Sequence, residues 1–542
     1  MIRLKIILFI ILFYSSTAYA ATYYIDYNSG LDSNNGTSTA TPWKRSPGMV
    51  GFSGSYSHTA GDIFVFKGGV TWPVASLPLY IGYSGATENP DIYMGGQQCG
   101  FIGSAAAVKC NGTTPCGSNA SASCNGGAAW GSGYPVFDGG AVDGMMVIKD
   151  NAQTRSYLIF DGIKIVNVGY IDGSGQGISF YGGGTSLETK NCYLDTNGVN
   201  AWSYTVPSTG MTPRAIYFHD NAVINSGRTN FDGGTNDNNI VNDVKFYNNL
   251  FMGTGSYTPG GYHCDGIMVG GANAVTYGIT NLLIYNNKFY GLWKSATTAA
   301  IYLNGSAGYY SINGAKIYNN IISFEQNTNF TYSPASIVVA ASNQGYQNNI
   351  EIYNNTISQD AYANASVTSC ISVGSADNVT IKNNILSGCD NAIMITPSAS
   401  VGANFAIDYN LYHTYGGGHL IYDQRTSDRC NTLAACQVTP FYQEAHGVVG
   451  DPKYVAIPDG TFGSGNWQLQ SSSAAIGKGA NLYSIFTTDK LGITRPEGTA
   501  WDIGAYEYNG GNNTSMIGVY NTKGMSGYYN ANGMGMIGNV SN

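Results

Sequence analysis

Five segments of the chain share one pattern: "VKFYNNLFMG", "LLIYNNKFYG", "AKIYNNIISF", "IEIYNNTISQ" and "VTIKNNILSG". Each alternates apolar and polar positions, reaches an Asn-Asn pair, and resumes a short apolar alternation, so two period-2 strands flank a corner. With the weaker copies "ETKNCYL", "FHDNAVI" and "AIDYNLY", the anchors are Asn191, Asn221, Asn249, Asn287, Asn320, Asn355, Asn384 and Asn410. The steps between anchors are 30, 28, 38, 33, 35, 29 and 26 residues by subtraction, a repeat with a loop of variable length.

A second echo lies between the copies: "GISFYG", "AIYFHD", "GIMVGG", "AIYLNG", "SIVVAA", "CISVGS" and "AIMITP". Each repeat therefore supplies about three short strands joined by Gly, Asn and Ser turns. That is too little chain for a helical crossover and enough to wind once around a core. The pattern predicts an all-β solenoid, a right-handed parallel β-helix over about residues 96 to 450, since parallel connections are right-handed by strong default. Asn at one place in successive coils suits a left-handed bend and a ladder of side-chain amides, so these residues read as structural.

Composition narrows the setting. The chain has 542 residues, 10% of them charged, with 73 Gly, 42 Tyr and a net charge of -8. No basic stripe is present, which argues against a nucleic-acid partner. Residues 1–20 carry Arg3 and Lys5, the apolar run "IILFIILFY" and then "AYA", the pattern of a secretory signal; no later run is long enough to span a bilayer. The expected location is extracellular or at the cell surface.

Cys99, Cys110, Cys116 and Cys124 crowd a Gly/Ala/Ser-rich insertion near 96–130, and Cys430 and Cys436 bracket a short loop. Disulfides are the reading, with the pairing of the first four open; the spacings match no common zinc finger. Residues 21–95 lack the Asn repeat and read as an N-terminal cap with the first coils. Residues 451–508 break the repeat again and are expected to close the far end. The stretch 509–542 is a low-complexity Gly/Asn/Met tail.

The "IYNN" coils, the opening "YYIDYNSGLDSNNGTSTATPW" and the closing "RPEGTAWDIGAYEY" resemble right-handed parallel β-helix proteins of the pectate-lyase-like superfamily. The resemblance implies action on a polysaccharide, usually acidic, along a groove outside the coil stack. The polygalacturonase-like "GHG" is represented only by "GQG", with Gln176 in place of histidine, and no pectate-lyase calcium motif stands out.

Stacking suggests where chemistry sits. Aligning the second echo on Ile178, Ile216, Ile267, Ile301, Ile337, Ile371 and Ile393 places Arg214 and Asp265 two residues earlier on neighbouring coils, about 4.8 Å apart. His263 falls on the same side of the strand, and Lys294 approaches from the next coil. Arg214, His263, Asp265 and Lys294 are thus the candidate catalytic group, competing with a plain surface ion pair. Trp202, Tyr204, Tyr257, Tyr262 and Trp293 are candidate sugar-stacking walls, or else cover for the solenoid flank.

Asp220 and Asp232 are possible second carboxylates, with His219 beside Asp220. Asp232, Asp237 and Asp243 form an oxygen-rich stretch that could hold Ca2+ or be a solvated turn. The preferred activity is β-elimination by a polysaccharide lyase, with hydrolysis next. In that scheme Arg214 or Lys294 holds a uronate carboxylate and His263 or a basic neighbour abstracts the proton. The alternative is a non-catalytic surface solenoid that binds glycans or mediates attachment. The oligomeric state is left open.

Overall fold

In a computed structural model, the chain is described over residues 20–96 and 130–510. Excepted are positions 132, 152, 170–174, 197, 199, 207–211, 236–238, 255–263, 272–277, 292, 294–295, 306–309, 325–333, 342–345, 360–366, 398–403, 414–417 and 458–464. Short strands are also present at 109–110, 114–115 and between 517 and 536. The signal segment and nearly all of the insertion and the tail lie outside the described residues.

Three sheets of twelve strands stack along one axis, and each coil contributes one strand to each sheet. The three stacked sheets make the chain a right-handed parallel β-helix. The first sheet runs from Thr22–Ile25 through strands such as Arg214–His219 and Ile279–Tyr285 to Phe405–Asp408. The second follows the Asn corner and holds short strands such as Ala222–Ser226 and Ile385–Ser387; the third holds Gln176–Phe180, Asn200–Val206, Thr229–Thr235, Cys264–Gly271 and Thr297–Gly305.

The interior is a continuous stack of buried apolar side chains. Leu187, Ile216, Val244, Leu282, Ala315, Ile350 and Val379 follow one another in register on the first sheet. Large rings fill the N-terminal half, where Trp202 lies on Phe231 at 4.7 Å and Phe251 on Phe289 at 4.8 Å. The insertion leaves and rejoins the helix at one point, for Trp130 N donates to Gly96 O at 2.7 Å.

The two asparagines of the repeat divide the labour. The first takes the left-handed bend, with φ of 56° at Asn248, 57° at Asn286 and 54° at Asn319. The second forms the ladder: Asn287 Nδ2 donates to Asn320 Oδ1 at 3.0 Å, Asn320 to Asn355 at 2.9 Å, and Asn355 to Asn384 at 3.0 Å. Asn191 proves to be a first-place residue, with φ of 52°. Cys192 holds its coil's ladder place, its N–H donating to Asn221 Oδ1 at 2.9 Å, so the first step is 29 residues.

The C-terminal segment does not close the far end, contrary to the expectation from its sequence. It runs back along the flank, where Asn354 Nδ2 donates to Asp502 O at 3.0 Å and Asn383 Nδ2 to Ala480 O at 2.8 Å. Ile503 and Ala505 cover outward apolar side chains of the second sheet such as Ile321, Ile385 and Leu411. The far end is occupied instead by the antiparallel pair His419–Asp423 and Asp428–Cys430, a short helix Leu433–Cys436, and the Cys430–Cys436 disulfide. A second disulfide joins Cys370 and Cys389. No helix among the described residues is long and apolar enough to cross a membrane.

Candidate functional site

The third sheet carries the candidate site, and its true register explains why. Ile178, Trp202, Phe231, Ile267, Ile301 and Ile337 are successive inward residues. Trp202 and Phe231 stand where other coils carry Ile, and Ile216 belongs to the first sheet. Arg214 therefore pairs with Asn242 on the first sheet, and the expected Arg214–Asp265 pair is not formed: the two residues lie on different faces of the coil.

The next strand in the third sheet supplies Asp265 with a different neighbour. Asp232 follows inward Phe231 within the strand Thr229–Thr235 and so projects outward, in register with Met268 on the strand that carries Asp265. Asp232 Oδ2 accepts from Asn200 Nδ2 at 3.3 Å and lies 3.7 Å from Arg228 Nη1; its side chain keeps 27% of its surface exposed. Asp265 is fully buried. Its Oδ1 accepts from Thr298 Oγ1 at 2.5 Å, and its Oδ2 has no hydrogen-bond partner among the described residues.

Burial sets the chemistry of this pair. It pushes the Asp265 carboxyl up to about 7; the Thr298 hydrogen bond opposes the shift, and the charge of Asp232 adds to it. Burial also raises the Asp232 carboxyl above its ordinary range, while Arg228 and Asn200 pull it back. The value near neutrality belongs to Asp265, where burial acts first and the charge of Asp232 adds to it.

Asp232 opens onto a groove of about 370 Å3 on the outside of the third sheet, lined also by Lys149, Gln176, Ser179, Asn200 and Ser203. Ser203 Oγ donates to Gln176 Oε1 at 2.7 Å, which fixes one wall. Gln176, Asn200 and Ser203 were not singled out as site residues from sequence. The signal that finds them is the register of Trp202 and Phe231 with the isoleucine column.

Trp202 and Trp293 are fully buried and Tyr204 is 3% exposed, so none of the three can stack on a sugar. Their rings face the core: Trp202 Nε1 donates to Thr189 Oγ1 at 3.1 Å, Tyr204 Oη to Gly184 O at 2.9 Å, and Trp293 Nε1 to Tyr290 O at 3.1 Å. Tyr257, Tyr262, His263 and Lys294 lie outside the described residues.

The oxygen-rich stretch does not form one loop, since Asp232 is on the third sheet and Asp243 on the first, with Asp237 outside the described residues. Among the described residues, no group of three His, Cys, Asp or Glu side chains could hold a metal ion.

His219 and Asp220 belong to a separate network on the first sheet. His219 Nε2 meets Glu188 Oε1 at 3.0 Å and Nδ1 meets Asp220 Oδ2 at 2.8 Å, while Lys190 Nζ binds Glu188 at 2.8 Å. Burial works against the imidazolium, yet the bonds to Asp220 and Glu188 outweigh it and raise its pKa. The ring lies flat on Tyr247 at 4.4 Å, the first step of a stack through Tyr285 and Tyr318 to Phe486. The faces of these rings are occupied by one another, which leaves them no platform for a sugar.

No described protein family matches the sequence, and no curated protein does. Solved structures similar to the chain include a pectate lyase, at 16% identity over 91% of this chain and 97% of that one, TM-score 0.43. A lacto-N-biosidase from Eubacterium ramulus aligns at 11% identity over 79% and 68%, TM-score 0.46. A surface adhesin of Streptococcus pneumoniae aligns at 12% over 67% and 86%, TM-score 0.31.

Proposed function

We propose that the protein is exported, binds a glycan chain in the groove of the third sheet, and hydrolyses it with the Asp232–Asp265 pair. The observation that carries this reading is a fully buried carboxyl, Asp265, that feels the charge of Asp232 on the adjacent coil, with Asp232 opening onto a groove lined by amide and hydroxyl groups. The choice of a glycan also draws on the resemblance of the coils.

In this reading Asp232 touches the substrate and Asp265 positions the proton behind it. Asp232 protonates the glycosidic oxygen, the bond from that oxygen to the anomeric carbon breaks, and water adds at that carbon, returning a proton to the pair. Gln176, Asn200 and Ser203 hydrogen-bond sugar hydroxyls. The polar lining suits hydroxyl-rich chains.

The groove favours a neutral glycan over a uronate. Among its described lining residues Lys149 is the one cation, against Asp150 and Asp232, so a sugar carboxylate would meet net repulsion. That balance moves the preference from β-elimination to hydrolysis. It also leaves Arg214, on another face, without a part in catalysis.

The test is incubation of the purified protein with neutral and uronate-rich polysaccharides, followed separately for new reducing ends and for unsaturated ends. New reducing ends alone, on a neutral glycan, are expected. Unsaturated ends would restore β-elimination, and binding without cleavage would leave a glycan-binding surface protein.

A further inference from the structure

The cap contains a buried carboxylate that no charged group among the described residues balances. Asp62 is fully buried; its Oδ2 accepts from Tyr56 Oη at 2.9 Å and Thr59 N at 3.0 Å, and its Oδ1 from the backbone N–H of Ala21 at 2.8 Å. All three donors are neutral. The imidazole of this corner, His58, turns Nε2 to Asp91 Oδ2 at 2.8 Å, and Asp91 is itself fully buried. Tyr23 and Tyr93 also feel the charge of Asp62, and neither can neutralise it. Burying a carboxylate on neutral donors alone is expensive, and a cation at hydrogen-bond distance removes most of that cost.

The residue that supplies the Oδ1 bond stands directly after the expected signal. Ala21 is pinned at the head of the first strand: its carbonyl accepts from Ile63 N at 2.9 Å, and Thr22–Ile25 pairs in register with Ile63–Phe66. Ala20 is exposed. The Ala20–Ala21 bond therefore lies at the boundary between solvent and the Asp62 site.

We propose that Ala21 becomes the N-terminus of the mature protein and that its α-ammonium is the counter-ion of Asp62, so that removal of the signal completes the cap. The step is hydrolysis by an export protease. The Ala20–Ala21 C–N bond breaks, the oxygen of water goes to the Ala20 carbonyl carbon, and the Ala21 nitrogen takes protons to become an ammonium at neutral pH. The uncharged N–H donor at 2.8 Å becomes a charged one in place, with no movement of the strand. This inference rests on export and is independent of glycan cleavage.

The ion pair has a pH signature. An α-amino group titrates at about 8 in an unfolded chain, and pairing with Asp62 raises that value in the fold. Its stabilisation is complete below about pH 8 and is lost as pH rises through the folded value. The titratable groups facing it are Asp62, Asp91, His58, Tyr23, Tyr56 and Tyr93.

The test has two parts. Intact mass and N-terminal sequencing of the exported protein are expected to give Ala21 as the first residue. Melting is then compared between that protein and one with Gly-Ser placed ahead of Ala21, each with and without Asp62→Asn. The extension is expected to lower the melting temperature by several degrees at pH 7, to do so less at pH 10, and to have no effect in the Asp62→Asn pair. Should Asp62→Asn fail to fold, the extension's effect in the native chain and its pH dependence still decide. A different first residue, or an extension without effect at pH 7, overturns the proposal, as does an effect that persists unchanged at pH 10.

Discussion

Asn410 Nδ2 donates to Glu444 Oε1 at 2.7 Å, and with that bond the asparagine ladder ends. Glu444 also accepts from Tyr412 Oη at 2.5 Å and is fully buried, so a carboxyl group occupies the place where a further coil would have put an amide. Burial pushes its pKa up to about 7. A raised carboxyl contributes stability that is complete below its unfolded value, about 4.3, and lost as pH rises through about 7.

Glu444→Gln mimics the protonated form and removes this titration. The variant should match the native protein near pH 4 and be more stable at pH 8, by up to about 4 kcal/mol, since one pKa unit is about 1.4 kcal/mol. Thermal melts at the two pH values check it. An equal offset at both would show that Glu444 does not titrate between them.

The ladder interior should be far less tolerant. Asn320 Nδ2 donates to Ile284 O and to Asn355 Oδ1, each at 2.9 Å, and its Oδ1 accepts from Asn287 N at 2.9 Å. Asn320→Ala leaves these buried partners unsatisfied and should cost about 2–4 kcal/mol in denaturant unfolding. Asn404→Ala, which removes an exposed bond of 3.3 Å to Asn378, should stay within about 0.5 kcal/mol.

How far the sequence carried the fold depended on which residue filled each repeated place. The Asn corner was legible because it recurs in seven ladder positions, and it slipped by one residue only where Cys192 replaced the amide. The third sheet was harder. Trp202 and Phe231 fill the isoleucine place in two coils, so their strands read as loops, Ile216 was aligned with the wrong sheet, and Asp265 was given Arg214 in place of Asp232 as its partner. Asp265 drew attention only because Arg214 fell at the same place of the neighbouring echo. The flank position of the C-terminal segment left no periodic trace in the segment itself, since the recurring Asn319, Asn354 and Asn383 bond to its backbone carbonyls, which any residue supplies.

Trp202 distinguishes a core ring from a sugar platform. Trp202→Ala removes a buried ring stacked on Phe231 and should cost about 3–5 kcal/mol in stability. Glycan affinity of the fraction that stays folded should be unchanged. A selective loss of binding with native melting would return the ring to the groove.

The carboxyl pair predicts a division between turnover and stability. Asp232→Asn keeps the side-chain shape and the possibility of a bond with Asn200, but removes the group that meets the substrate, so hydrolysis should fall about a hundredfold or more with little change in melting. Asp265→Asn removes the group that titrates near 7, so the pH–rate profile should lose its limb there, with residual turnover above that of Asp232→Asn. Arg214→Ala, on the first sheet, should keep full turnover. Full activity in Asp232→Asn on a glycan that the native protein cleaves would take the third-sheet groove out of catalysis. Loss of activity in Arg214→Ala with unchanged melting would move the chemistry to the first sheet.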